Sequence, residues 1–384
     1  MLLRIVSRVG LFTAAVLSTF MLSARRADAA YVFSNVYTLG QPLGLNSPTT
    51  SLFQPMFAGE IVGEARAPVV GISNHALLWT SSNPNSVDLH QAEWKSSSAS
   101  AAMLGQEVGY AQLATNFQHA IVWTGSAASA IDLHPAAGYI TSVANFTTGT
   151  RQVGMAFDGS ANHAMLWSGS AASAVDLQPA NRFESAARAA DDAHQVGWAG
   201  SSQSPEAMMW SGTAQSAVNL HPGEFFDSVA LGVGGNQQVG TGHLLGSAHA
   251  LLWTGSAASM VDLHPAGFNL SVASATNGTI QVGYGAKSGD SYRHALLWSG
   301  SASSVIDLSL LRPAGWRDSY ATSIGPDGTI YGMAIDAQGN THAVIWTFVP
   351  EPASASAALL IALTVATARN PAGNGPRSAR GRLN

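Results

Sequence analysis

Twelve histidines are the first residues in this 384-residue chain to suggest chemistry, because imidazole binds metals and moves protons near neutral pH. Six occupy one recurring place, His75, His119, His163, His249, His294 and His342, and Glu206 stands there in a seventh copy. Four more follow an Asp-Leu or Asn-Leu pair, His90, His134, His221 and His264, with Gln178 at the fifth such place. A zinc ion needs three or four ligands at about 2 Å, and an acid–base pair needs contact distance. Residues repeated once per structural unit are instead spread around a molecule. Both sets therefore read as structural hydrogen-bonding positions, the first toward a neighbouring backbone or an Asp. The repeated Asp88, Asp132, Asp176, Asp262 and Asp307 read as caps on backbone donors at strand ends. His194 and His243 fall outside the pattern. There is no cysteine, no Asp-x-Asp-x-Asp calcium loop, no Gly-x-Ser-x-Gly elbow and no phosphate-binding Gly-x-x-x-x-Gly-Lys. No catalytic residue, metal or cofactor is expected.

The elements that carry these residues repeat as a unit. Seven segments share one pattern, from His75-Ala-Leu-Leu-Trp79 to His342-Ala-Val-Ile-Trp346, with tryptophans 44, 44, 43, 43, 45 and 48 residues apart. That period is what a four-stranded propeller blade uses. Each unit contains a small-residue strand such as Ser271–Ala275, a Val-Gly strand such as Val153-Gly154, the His-to-Trp strand, and a short strand ending in Asp-Leu. The middle strand is apolar throughout because stacked blades bury both its faces. The last unit lacks its Asp-Leu strand, and Asn35-Val-Tyr-Thr-Leu39 near the N-terminus stands ready to replace it. The expected fold is all-β: a seven-bladed β-propeller of four-stranded blades over 31–348, closed by an N-terminal strand completing the last blade. From axis to rim the order reads small-residue, Val-Gly, His-to-Trp, Asp-Leu. An open solenoid is the alternative; the unit count and the split last unit favour the ring.

Charge excludes a nucleic-acid partner. Residues 31–348 carry 9 Lys and Arg against 20 Asp and Glu, and only Lys95 and Lys287 are lysines, whereas phosphate binding needs clustered cations. At the N-terminus, Arg4 and Arg8 precede an apolar run from Val9 to Ala24 and the small-x-small tripeptide Ala27-Asp28-Ala29, which reads as a signal peptide over 1–29. A membrane anchor is the alternative, but the run is short for a span.

At the C-terminus, Val349-Pro350-Glu351-Pro352 leads into an uncharged stretch, Ala353 to Ala368, and then Arg369, Arg377, Arg380 and Arg382. Residues 349–384 resemble a PEP-CTERM sorting signal, although four Ser and Thr residues interrupt the stretch and the basic tail is long. The resemblance implies transient membrane contact through the apolar segment and a membrane protease of the exosortase type as partner. The repeats, from Val62 to Trp346, are similar to the HAF family of extracellular repeats, with another apolar residue standing in place of Phe in every copy. That likeness implies secretion and a repeat fold but no activity.

The functional expectation is a protein of the cell surface or extracellular matrix that is not an enzyme and that binds extracellular polysaccharide or a surface protein. The alternative is a glycan lyase or hydrolase with an axial pocket, which needs paired carboxylates or a His–Tyr–Arg cluster near the axis. Function is sought where the units differ. Trp94, Trp198, Trp316 and Arg317 lie off the repeat positions and are the candidate ligand-facing residues, because flat aromatic faces suit sugar rings.

Overall fold

A computed structural model describes residues 30–37, 48–49, 59–66, 74–80 and 83–349. The expected signal peptide and the sorting residues Pro350, Glu351, Pro352 and Arg369 lie outside them, as do Thr38 and Leu39; Val349 ends a strand. Val32–Thr347 form one compact unit. Tyr31 and Phe348 belong to a second unit, in which their rings meet edge to face at 5.5 Å.

Seven four-stranded antiparallel sheets make a seven-bladed β-propeller. Blade 2 runs outward from the axis as Ser96–Met103, Gln106–Gln112, Gln118–Trp123 and Ile131–Asp132. Blades 3 to 6 repeat this order. Blade 7 consists of Ser319–Ile324, Ile330–Ile335 and Thr341–Val349, and its outermost strand is Ala30–Tyr37. The first described strand thus completes the last blade, as expected, although it begins at Ala30, upstream of the predicted Asn35. Ser34 Oγ donates to the Ile345 carbonyl at 3.2 Å across this junction, and Phe33 packs edge-on against Trp346.

Blades adhere through the repeated apolar residues. Between blades 2 and 3, Val108, Val122 and Leu133 of one blade pack with Met165 and Trp167 of the next. All seven repeat tryptophans are buried. Burying an aromatic side chain of roughly 150–250 Å² contributes about 4–6 kcal/mol before entropic costs. After Trp123, Trp167, Trp210, Trp253 and Trp298 the chain turns through a glycine in the left-handed region, for example Gly125 at φ 77, and a one-turn 3-10 segment such as Ala127–Ser129. Ser129 Oγ accepts from the Thr124 amide at 2.8 Å and donates to the Ser126 carbonyl at 2.6 Å, which closes the turn.

The Val-Gly pairs have a packing cause. A Cβ on Gly154 would lie 2.0 Å from the Val143 carbonyl oxygen, and the clash recurs at Gly109 with Ser98 and at Gly197 with Ala186. No side chain fits there. The carbonyl comes so close because the inner strand bulges immediately afterwards, between Ala144 and Phe146 in blade 3.

Candidate functional site

Each bulge inserts one extra residue into an inner strand and turns that side chain toward the axis. In blades 2 to 7 the extra residues are Ser100, Asn145, Arg188, Leu231, Ser274 and Thr322. All of them line one axial cavity of about 870 Å³. Its remaining wall is largely apolar and includes Met103, Phe146, Val233, Val272 and Ile324. At the end toward the hairpins that join inner and second strands stands Leu104, exposed and held at φ 54, where a leucine is strained.

Arg188 is the cation of this channel. It sits between Ala187 and Ala189 at the bulge of blade 4, and no hydrogen bond or ion pair engages its guanidinium among the described residues. Water reaches it inside the channel, yet protein surrounds it, and the lost solvation lowers its pKa. Beside it, Asn145 Nδ2 donates to the Ala187 carbonyl at 2.8 Å and braces the bulge from blade 3. Asp191 and Asp192 line the cavity at the hairpin that follows Ala190. Asp191 Oδ1 is engaged by the amides of Ala193 and His194 at 2.8 and 2.7 Å. Tyr284 of blade 6 also lines the channel, and burial raises its pKa.

The histidines build the outer half of each blade. His75 Nδ1–H donates to Asp88 Oδ2 at 2.8 Å, and Asp88 Oδ1 accepts the amide of His90 at 2.9 Å. The pairing recurs for His119 with Asp132, His163 with Asp176, His249 with Asp262 and His294 with Asp307. The partner Asp belongs to the same blade. His90 stacks on His75 with ring centres 3.8 Å apart, and His134 on His119 and His264 on His249 at 4.0 Å. Ser97, on the inner strand of the next blade, accepts the Ala76 amide at 2.9 Å and donates to His90 Nδ1 at 2.9 Å.

Gln178 reveals the tautomer. Its Oε1, which can only accept, takes the hydroxyl of Ser185, while its Nε2 donates to the Arg182 carbonyl at 2.8 Å. His264 does the same with Nδ1 toward Ser271 and Nε2 toward the Phe268 carbonyl at 3.1 Å. The His264 pattern fits an imidazole that carries its proton on Nε2. Burial first, then the adjacent imidazole, holds His90 down at about 4 and pushes His134 and His264 the same way. They are joints between blades.

The sequence-derived ligand candidates are scattered. Trp94 is buried where blade 2 meets the sheet that holds Glu60–Arg66 and Asn74–Thr80, edge-on to Trp123, and borders a separate cleft of about 450 Å³. Trp198 is buried in the second strand of blade 4. Trp316, half-buried before blade 7, lies against His342 at 4.8 Å, and Arg317 beside it is exposed. The structure does not bring these four together. His194 Nδ1 lies 3.6 Å from Asp191, and His243 donates to Asp227 at 2.7 Å. Arg188 was missed. Its signal was present in Glu-Ser-Ala-Ala-Arg-Ala-Ala, where an arginine interrupts an otherwise small-residue axial strand.

No family model and no curated protein matches the chain. Solved structures do. Puromycin hydrolase superposes with a TM-score of 0.56 at 11% identity over 82% of this chain and 55% of that one, so this chain spans about half its length. The β-propeller domain of the Trilobed protease from Pyrococcus furiosus superposes with a TM-score of 0.52 at 8% identity, over 82% of this chain and 96% of that domain. An oligogalacturonate lyase in complex with manganese reaches 0.49 at 10% identity, over 85% and 99% of the two chains. The expectation that this chain is not an enzyme is corrected here. Propellers of this build occur in a hydrolase and a protease, so low charge and dispersed histidines gave no ground for excluding catalysis. At these identities the likeness establishes the architecture, a seven-bladed β-propeller, and that is the class in which the chain is placed.

Proposed function

We propose that this chain is an exported propeller that takes its ligand into the axial channel and works as an enzyme-type propeller on extracellular polymers. One observation carries this reading. The blades repeat the same residues where they pack, whereas the bulged positions that converge on the axis all but one differ: Ser100, Asn145, Arg188, Leu231, Ser274 and Thr322. A scaffold that repeats its joints and varies its converging side chains is organised for binding. Export and surface release are supported by the signal-like segment at 1–29 and by the resemblance of 349–384 to an exosortase-processed tail. The likeness to a hydrolase and to a protease's propeller domain supports the enzyme-type class. The test compares wild-type protein with Leu231→Trp, which fills the channel with a bulky neutral side chain, against a panel of extracellular oligosaccharides and peptides. Binding that disappears in the plugged variant supports the reading, and binding that survives there refutes it.

A glycan lyase or hydrolase is the second reading. It is favoured by Arg188, Asp191, Asp192 and Tyr284 lining the same cavity, which holds a cation, carboxylates and a phenol. Release of new sugar ends from an oligosaccharide, lost in Arg188→Met, is the result it requires.

A further inference from the structure

Two other cations of the propeller are paired with carboxylates. Arg182 meets Glu206 at 2.6 Å, and Lys287 meets Asp307 at 2.6 Å. Acidic residues outnumber basic ones 20 to 9 over 31–348, so carboxylates are abundant. Arg188, like Arg151, Arg293 and Arg317, has no ion-pair partner among the described residues, but of these four only Arg188, on its bulge, lines the axial cavity. An unpaired arginine fork exposed to a cavity can receive a planar carboxylate, because two parallel N–H donors match its two oxygens.

The rest of the wall limits what that carboxylate belongs to. Phe146, Leu231, Val233, Val272 and Ile324 offer apolar surface and no second cation. Asp191 and Asp192 stand at the hairpin-side end, where they repel a chain of repeated negative charges. A polyuronate matches neither the single cation nor the apolar wall. A molecule with one carboxylate on an apolar body matches both.

Resting on the axial-channel reading, we propose that the channel binds apolar monocarboxylates, with the carboxylate on Arg188 and the apolar body along Leu231, Val233 and Ile324. Two sources supply that chemistry: a peptide C-terminus ending in aliphatic or aromatic residues, and a free alkanoic acid. Asn145 fixes the bulge through the Ala187 carbonyl and so holds the guanidinium toward the axis.

Calorimetry on the full exported chain tests this with two matched pairs, N-acetyl-Ala-Leu-Phe acid against its C-terminal amide, and octanoate against octanol. The proposal expects the acid of at least one pair to bind at least tenfold more tightly than its neutral partner. Tighter peptide binding assigns the peptide source, and tighter octanoate binding the free acid. Arg188→Met should abolish the preference for acid, and Arg188→Lys should keep part of it, each with an unchanged circular dichroism spectrum. Equal binding of acid and neutral partner, undiminished preference in Arg188→Met, no binding of any of the four, or tighter binding of a hexuronate oligomer overturns it. Leu231→Trp separates the two levels. If acids bind this variant as well as wild type, the channel reading itself fails; if it blocks binding while Arg188→Met does not, only the carboxylate assignment fails.

Discussion

Asn219 Nδ2 donates to Glu206 Oε2 at 2.6 Å, in the place where His163 donates to Asp176 one blade earlier. Donor and acceptor have changed sides between the two strands, yet the hydrogen bond persists. What the blade requires is a bond joining its two outer strands, and neither histidine nor aspartate as such.

The inversion predicts an asymmetric response to substitution. Asn219→Asp sets a second carboxylate against Glu206 and should cost about 0.5–1 kcal/mol in urea unfolding, as an exposed polar contact turns repulsive. Adding Glu206→His should recover part of that loss, and only part, because Arg182 then loses its 2.6 Å partner. An additive double mutant would contradict the account.

Glycine at the bulge is a steric requirement. Gly154→Ala brings a Cβ to 2.0 Å from the Val143 oxygen and should prevent normal folding or lower the urea midpoint drastically. Gly169→Ala meets no neighbouring atom within 4 Å and carries only the strain of φ 82, so about 1–2 kcal/mol is expected. Similar effects at the two positions would refute the link between Val-Gly and the bulge.

Glu107 occupies the place held by Gln152, Gln195, Gln238 and Gln281, whose Oε1 atoms accept the amide of a turn glycine. Glu107 Oε2 accepts the Gly125 amide at 2.8 Å, but Oε1 is buried without a partner and Glu60 adds a like charge. Burial first, then Glu60, raises its pKa. A raised carboxyl pKa means that the folded state holds the proton more tightly than the unfolded state, so this stabilisation is present at low pH and is lost as pH rises through the folded value. Glu107→Gln should therefore stabilise the protein at pH 7 by about 1–3 kcal/mol, the cost of an unsatisfied buried group, and the gain should shrink toward pH 4. A constant gain across that range would contradict it.

The stacked histidines predict the opposite limb. His90, His134 and His264 have lowered pKa values, with His90 at about 4 against 6.5, so the unfolded chain binds their protons first. Their contribution is intact above about pH 6.5 and is lost as pH falls toward 4. Replacing all three by Gln, as Gln178 already stands in this chain, should flatten the melting temperature between pH 7 and 4.5. A triple variant with the wild-type slope would place the acid sensitivity elsewhere.

Much of the architecture was legible because tryptophan spacing reports the blade period directly, and because a blade missing one strand implied a strand to be supplied by the other end. The strand order from axis to rim followed from side-chain size. The site was less legible. A bulge leaves no composition signature of its own, so Arg188 looked like one residue in a small-residue strand until the register break between Ala187 and Ala189 turned it inward. Trp94 and Trp198 stood out as departures from the repeat, but a departure does not reveal its direction, and both rings are spent on packing between and within blades. The histidines, most conspicuous in the sequence, are joints whose protons are already committed.

The most direct measurement is a crystal structure grown with N-acetyl-Ala-Leu-Phe acid or octanoate. The account predicts ligand density in the axial channel, with carboxylate oxygens at hydrogen-bond distance, about 2.7–2.9 Å, from the Arg188 guanidinium. Ligand seated on Trp316 and Arg317, or on any outer surface with the channel empty, would contradict it.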